Sequence, residues 1–325
     1  MSQPTILMLS PLPTDQEAQL DRMGIVHRAY SQEDPSVLYD EIADDVTVIT
    51  TFVTVPCRGE LMGRFKNLRL VANFGVGYDG VETDYCAKNG IIVTNTPDVL
   101  TDEVADTALG LLLMTVRELP QAEQYLRAGK WMSNGAYPLT SATLQNRTLG
   151  IYGLGRIGLA IAKRAEAFNM PIEYHNRSKR EDVSYTYHES LIGLAYAVDT
   201  LMVVVPGGSG TQNAINDDIL EALGPNGILI NIGRGSTVDE DALSRALKNN
   251  TILGAGLDVF AKEPHVPEDF FHHPRTVLLP HVASASHYTR GLMAQVTVDN
   301  VKAFAEDGTV VTPVPETPFA AVRTD

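Results

Sequence analysis

Six consecutive residues constrain this chain more than any others: Gly153, Leu154, Gly155, Arg156, Ile157 and Gly158. They directly follow an apolar, β-branched run, Thr148–Tyr152, and open an amphipathic stretch, Arg156–Phe168. Three glycines in that pattern, between a strand and a helix, predict the first turn of a dinucleotide-binding βαβ unit. Gly153 permits the tight turn, Gly155 lets backbone approach a pyrophosphate, and Gly158 lets helix pack on strand. The N–H groups and positive dipole of the helix start suit the phosphates.

The rest of the chain agrees with a parallel α/β architecture. Short apolar runs alternate with helical patterns: Thr5–Leu9, Val46–Thr50, Leu70–Asn73 and Ile91–Thr94, then Thr148–Tyr152, Ile172–Tyr174, Thr200–Val205, Ile228–Ile232, Ile252–Leu257 and Thr276–Leu279. Continuous apolar strands imply sheets buried on both faces, and alternation with helices implies parallel strands. A long helical pattern, Asp102 to about Ala128, separates the two series, with Thr101 as its expected N-cap and Pro120 expected to end or bend it. A last helix is expected over Tyr288–Glu306, followed by an extended tail carrying Pro313, Pro315 and Pro318.

The expected fold is therefore α/β, with two doubly wound parallel-sheet domains. A Rossmann-type nucleotide domain, residues 100–285, is inserted in a smaller, flavodoxin-like substrate domain, residues 1–99 and 286–325. Hinges are expected near Pro97 and Ser284–His287.

Composition narrows the class of partner. The net charge of −15 repels nucleic acid and anionic lipid, so neither is an expected partner. The longest apolar runs, such as Leu109–Met114, are too short to cross a bilayer, and Met1–Leu12 lacks a basic leader. Two cysteines, Cys57 and Cys86, make neither a disulfide framework nor a metal-ligand set, and no metal is expected. A reducing cytoplasm is the expected location.

The end of the second strand of the nucleotide domain selects the cofactor. An NAD site places a carboxylate there for the ribose hydroxyls. This chain reads Tyr174, His175, Asn176, Arg177, Ser178, Lys179, Arg180 instead. No acid stands where it would repel a 2′-phosphate, and the basic cluster is placed to bind one, arginine bidentately. NADP(H) is therefore expected over NAD(H); the alternative is a basic surface turn beside Glu181 and Asp182.

Ligands in open α/β sheets bind beyond the carboxyl ends of the strands. Arg234 follows Ile228–Ile232, Asp258 and Glu263 follow Ile252–Leu257, and His281 follows Thr276–Leu279. Each of Arg234, Glu263 and His281 has a role in reducing a 2-keto acid. Arg234 can hold the carboxylate and polarise the carbonyl. His281 can give the proton that neutralises the alkoxide. Glu263 can bond the other imidazole nitrogen and fix the tautomer. The other seven histidines (27, 175, 188, 265, 272, 273 and 287) lack this placement.

Four ordered motifs carry a resemblance: Gly153–Gly158, Asn231–Ser236, Gly256–Pro264 and Leu279–Ser284. The chain resembles the D-isomer-specific 2-hydroxyacid dehydrogenase family, and Gly75–Asp79 and Thr94–Thr101 fit it too. The resemblance implies a catalytic triad of Arg234, Glu263 and His281. It also implies that Asp258 faces the nicotinamide carboxamide, that Thr101 lies near the cofactor, and that Val76 and Gly77 contact substrate. It further implies a homodimer built around Asp102–Ala128. With Asn176 in place of the usual acid, and with Pro206-Gly-Gly after the third strand, the chain is similar to NADPH-preferring glyoxylate and hydroxypyruvate reductases.

The leading expectation is reduction of glyoxylate or hydroxypyruvate. Reductases of bulkier acids, such as hydroxyphenylpyruvate or a keto-sugar acid, are the sibling reading, with Phe52, Val53, Val76 and Tyr288 as candidate pocket walls. A non-catalytic, nucleotide-sensing protein is the reading from another class. Phosphoglycerate dehydrogenase often adds a regulatory domain, and formate dehydrogenase wants glutamine at Glu263, so both fit worse.

Overall fold

The computed structural model describes residues 3–323. The chain divides into two compact units, one running up to Leu100 and resuming at Ser286, the other Thr101–Ala285. Each holds one all-parallel sheet.

The discontinuous unit contains β1 (Thr5–Met8), β2 (Ile25–Arg28), β3 (Val48–Phe52), β4 (Leu70–Phe74) and β5 (Ile92–Thr94), in the order β2-β1-β3-β4-β5. Successive side chains on a strand face opposite ways. Yet both members of the neighbouring pairs Ile6–Leu7, Val48–Ile49, Leu70–Val71 and Ile92–Val93 are buried. Both faces of the sheet are therefore covered, which is why these strands read as unbroken apolar runs. β2 was not anticipated, because this edge strand exposes Ile25 and half-exposes the rest, leaving no apolar run. The C-terminal tail, expected to be extended, instead turns twice and folds back. Thr317 N–H donates to the Val314 carbonyl, Ala320 N–H to the Thr317 carbonyl, and Val310 pairs with Val322, because Pro315 and Pro318 each occupy the second position of a turn. The tail pairs antiparallel at Thr94–Pro313, and Val314 N–H donates to the Val93 carbonyl, covering the β5 edge.

The continuous unit contains β6 (Leu149–Tyr152), β7 (Ile172–His175), β8 (Thr186–Tyr187), β9 (Thr200–Val203), β10 (Ile228–Asn231), β11 (Gly254–Leu257) and β12 (Thr276–Leu278), in the order β12-β11-β10-β9-β6-β7-β8. From β6 the chain first builds outward through β7 and β8, then returns to build the other half from β9. The order reverses between β6 and β9, and a ligand crevice belongs at such a switch point. β8 has only two residues and gave no sequence signal. The long helical pattern is in fact two helices. Thr101–Arg117 stops at Glu118, whose φ is 52°, and Leu119–Arg127 begins again with Pro120 in its first turn. Pro120 interrupts as expected, whereas Thr101 is the first helical residue instead of the cap.

No helix among the described residues is long and apolar enough to cross a membrane. None of them gather into a group of three or more histidine, cysteine or acidic side chains able to hold a metal ion.

Candidate active site

The glycine turn leaves β6 and enters the helix Arg156–Glu166. Its glycines answer to different demands. Gly153 has φ of 103°, and a Cβ there would lie 2.8 Å from the Val205 side chain. At Gly158 a Cβ would sit 2.5 Å from the Gly153 carbonyl oxygen. The protein itself therefore forbids side chains at both positions. At Gly155 a Cβ would meet nothing within 4 Å. Nothing in the protein requires glycine there, and the open cradle over Gly155 fits the close backbone approach of a pyrophosphate. Ile157 is half-buried, and Arg156 is exposed at the helix start.

Where β7 ends, Asn176 turns back on this loop. Its Oδ1 accepts the Leu154 N–H at 2.7 Å, and its Nδ2 donates to the Leu154 carbonyl at 3.4 Å. Arg180 also donates to the Leu154 carbonyl, at 3.0 Å, while its Nε donates to Asp182 at 2.9 Å. The sequence groups Arg180 with the phosphate-binding cluster, but its guanidinium is turned onto the glycine turn and Asp182. Arg177, Ser178 and Lys179 stand exposed between these anchors. The Asn176–Lys179 segment thus offers two cations and a hydroxyl, with no acid among them, at the end of β7. Pro206 is exposed after β9, its carbonyl accepting from the Thr211 hydroxyl at 2.7 Å. Thr101 is half-buried at the start of its helix.

Three loops at the carboxyl edge of the same sheet carry Arg234, Glu263 and His281. After β10, Asn231 Oδ1 accepts the Gly233 N–H at 3.0 Å, while the Arg234 carbonyl accepts from Asn231 Nδ2 at 3.0 Å and the Thr237 hydroxyl at 2.6 Å. These bonds fix the turn that presents Arg234. Its own Nη1 donates to the Gly233 carbonyl at 2.7 Å.

His281 has φ of 55°, a left-handed backbone rarely taken by a non-glycine residue. Asp258 stabilises that turn. His281 N–H donates to the Asp258 carbonyl at 2.8 Å, Val282 N–H to Oδ1 at 2.8 Å, and Ala283 N–H to Oδ2 at 3.0 Å. Burial pushes the Asp258 carboxyl upward, against the two amides and the charge of His281. Both oxygens of Asp258 are therefore engaged by backbone, a structural task beyond the cofactor contact that the resemblance implies.

His281 Nδ1 lies 2.7 Å from Glu263 Oε2, and Glu263 Oε1 accepts the Phe260 N–H at 3.0 Å. Burial raises the Glu263 carboxyl, but the hydrogen bond and charge of His281, the Phe260 amide and Arg234 together hold it below the ordinary range. With Nδ1 committed to a carboxylate, Nε2 is the nitrogen left for proton transfer.

In the other unit, the loop after β4 shows a different pattern. Asn73 Nδ2 donates to the carbonyls of Gly75 and Gly77, both at 3.0 Å, and Asn95 Nδ2 donates to that of Val76 at 2.8 Å. Every carbonyl of the turn is held, whereas the N–H groups of Val76 and Gly77 have no acceptor among the described residues. Two such amides side by side suit an anionic oxygen. Asn73 and Asn95 were missed from sequence; the available signal was an amide closing an apolar strand run. Phe52 and Phe74 pack at 5.5 Å, with the Arg290 guanidinium 5.3 Å from the Phe52 ring. Val53 packs near Gly75, and Tyr288 is exposed.

A doubly wound sheet with a nucleotide turn on its first strand and an imidazole–carboxylate pair at the same edge defines a nucleotide-dependent dehydrogenase. The family model for the D-isomer specific 2-hydroxyacid dehydrogenase NAD binding domain matches residues 109–283. Glyoxylate/hydroxypyruvate reductase A of Arabidopsis thaliana is 40% identical over 95% of this chain and 98% of its own. Hydroxyphenylpyruvate reductase of Plectranthus scutellarioides is 42% identical over the same shares. Among solved structures, the NADPH-dependent glyoxylate/hydroxypyruvate reductase of Sinorhizobium meliloti, in complex with NADP and malonate, is 52% identical. It superposes with a TM-score of 0.94 over 99% of this chain and 100% of that one. The chain belongs to the D-isomer specific 2-hydroxyacid dehydrogenase family.

Proposed function

We propose that this enzyme reduces glyoxylate and hydroxypyruvate to the corresponding 2-hydroxy acids, D-glycerate in the second case, with NADPH as preferred reductant and NADH as a possible one. The observation that carries the reading is the 2.7 Å Glu263–His281 pair on the sheet edge whose first strand enters the glycine turn. The acid-free segment Asn176–Lys179 supports NADPH, as does the NADP bound by the Sinorhizobium meliloti relative.

Gly153, Gly155 and Gly158, with the start of the helix behind Arg156 and Ile157, would hold the cofactor's pyrophosphate. Arg177, Ser178 and Lys179 would take the 2′-phosphate, with Asn176 holding the turn. Pro206, Asp258 and Thr101 complete the cofactor contacts in this reading. The bound cofactor supplies a hydride to the keto carbon.

The protein's own residues provide position and a proton. Arg234 pairs with the substrate carboxylate and polarises the keto oxygen, and the Val76 and Gly77 amides donate to substrate oxygens. As negative charge grows on the keto oxygen, the imidazolium of His281 gives it the Nε2 proton. Glu263 holds Nδ1–H throughout, so the imidazole keeps its orientation when it becomes neutral, and solvent returns the proton. In the oxidative direction His281 removes the hydroxyl proton.

A small molecule is thus the working partner. A second copy of the chain is the expected macromolecular one, supported by large apolar side chains exposed between Leu119 and Leu139, where Trp131 is 63%, Met132 96% and Leu139 99% exposed. The cytoplasm suits the two buried free thiols, Cys57 and Cys86.

Initial rates of NADPH and NADH oxidation with glyoxylate, hydroxypyruvate and phenylpyruvate test the reading. Turnover fastest with NADPH and the two small acids is the expected result. A preference for phenylpyruvate would move the substrate to the bulkier class, and an NADH preference would overturn the assignment of Arg177–Lys179. Cofactor binding without turnover would leave a nucleotide-sensing protein.

A further inference from the structure

The loop between β11 and Pro264 carries Glu263, and its aim depends on more than its own residues. Gly235, one residue past Arg234, lies against it so tightly that a Cβ would fall 1.8 Å from the Phe260 carbonyl carbon and 2.3 Å from the Ala261 nitrogen. On another side stands Glu240, first residue of the helix Glu240–Lys248, which Asp239 caps through the Ala242 N–H. An acid in a helix's first turn ordinarily faces solvent and the helix dipole. Glu240 instead reaches 21 residues along the chain, and its Oε1 accepts the Ala261 N–H at 2.9 Å. Phe260 and Ala261 thus have their consecutive amides held by two different carboxylates, Glu263 and Glu240. Glu263 has its other oxygen on His281.

We infer that Glu240 is a positioning residue for proton transfer: it anchors the loop that aims Glu263 at His281, and its charge strengthens the negative field behind the imidazole. Burial pushes the Glu240 carboxyl upward, and Asp241 and Glu263 add to this, while the Ala261 amide and Lys262 oppose it. Glu263 is faced in turn by His281 and Arg234, and Asp258 by His281 and Glu263. Glu240 is therefore coupled in charge to Glu263, the carboxylate that holds His281, without touching either.

Anchor and charge separate by substitution. Glu240→Gln keeps an oxygen that accepts the Ala261 N–H but removes the charge; Glu240→Ala removes both. This rests on His281 as proton donor, so His281→Ala is measured alongside. Loss of turnover by about 100-fold is expected there, and retained turnover would sink that reading separately.

With His281→Ala inactive, Glu240→Ala should lower kcat about 10-fold while the NADPH Kd, read by fluorescence titration, stays within about 2-fold. Glu240→Gln should restore kcat to within about 3-fold near neutral pH. Its rate should fall off at a pH lower by a few tenths of a unit on the alkaline side, because one negative charge no longer helps retain the proton. Wild-type kcat in Glu240→Ala overturns the inference, and so does a Gln variant as impaired as Ala. If the Ala variant does not fold, the Gln variant decides through its alkaline limb: an unmoved limb overturns the charge role.

Discussion

Asp258 shows how a single side chain can make an improbable backbone conformation routine. Its two oxygens and its carbonyl collect three successive amides, His281 to Ala283, and so hold His281 in a left-handed turn. Asp258→Asn leaves one of those buried amides without an acceptor. A loss of about 1–3 kcal/mol in urea unfolding is expected. Glu263 makes a pH-dependent contribution of known sign. Its folded-state carboxyl lies below the ordinary value of 4.5, so it stabilises the fold above that value and loses this contribution as pH falls through the folded-state one. The stability gap between wild type and Glu263→Gln should therefore be widest near neutrality and shrink below about pH 4. A pH-independent gap in urea midpoints would refute this. At the cofactor end, Arg177→Ala should raise the NADPH KM by about 10–100-fold, the worth of a charged hydrogen bond. NADH should be little affected. Equal losses would show that Arg177 does not read the phosphate.

Elements, more than residues, carry the sequence's message about the fold. Apolar strands buried on both faces announce themselves as runs, which is why ten strands were readable and the exposed β2 and the two-residue β8 were not. Arg234, Glu263 and His281 could be singled out because each follows a readable strand, and the structure pairs the last two. Glu240 could not be, because an acid opening a helix is ordinary in sequence and its bond to Ala261 is a tertiary fact. Arg180 misled for the same reason: its charge is visible, its commitment to Leu154 and Asp182 is not. The glycines give a paired prediction at this scale. Gly235→Ala drives a Cβ into backbone and should cost more than the about 1–3 kcal/mol of ordinary overpacking. Gly155→Ala should leave thermal stability nearly unchanged and weaken NADPH binding at least about 10-fold, since the space it fills belongs to the ligand.

At the scale of the whole molecule, the exposed apolar side chains between Leu119 and Leu139 make the proposed self-association testable. If the homodimer uses them, Trp131→Glu with Met132→Glu should shift sedimentation from dimer toward monomer, because a charge inside a desolvated contact is costly. A sedimentation coefficient equal to that of the unsubstituted chain would count against this segment as the contact. The arrangement of the chain has a further consequence. The nucleotide turn, the cofactor-selecting segment, Arg234, Glu263 and His281 all fall within Thr101–Ala285, an unbroken stretch that is also a compact body. On the roles proposed above, the chemistry is heritable as a single cassette. A gene exchange at its two borders would carry Arg234, Glu263, His281 and the Asn176–Lys179 segment together. Descendants assembled that way would inherit all of these groups at once while acquiring a different discontinuous unit.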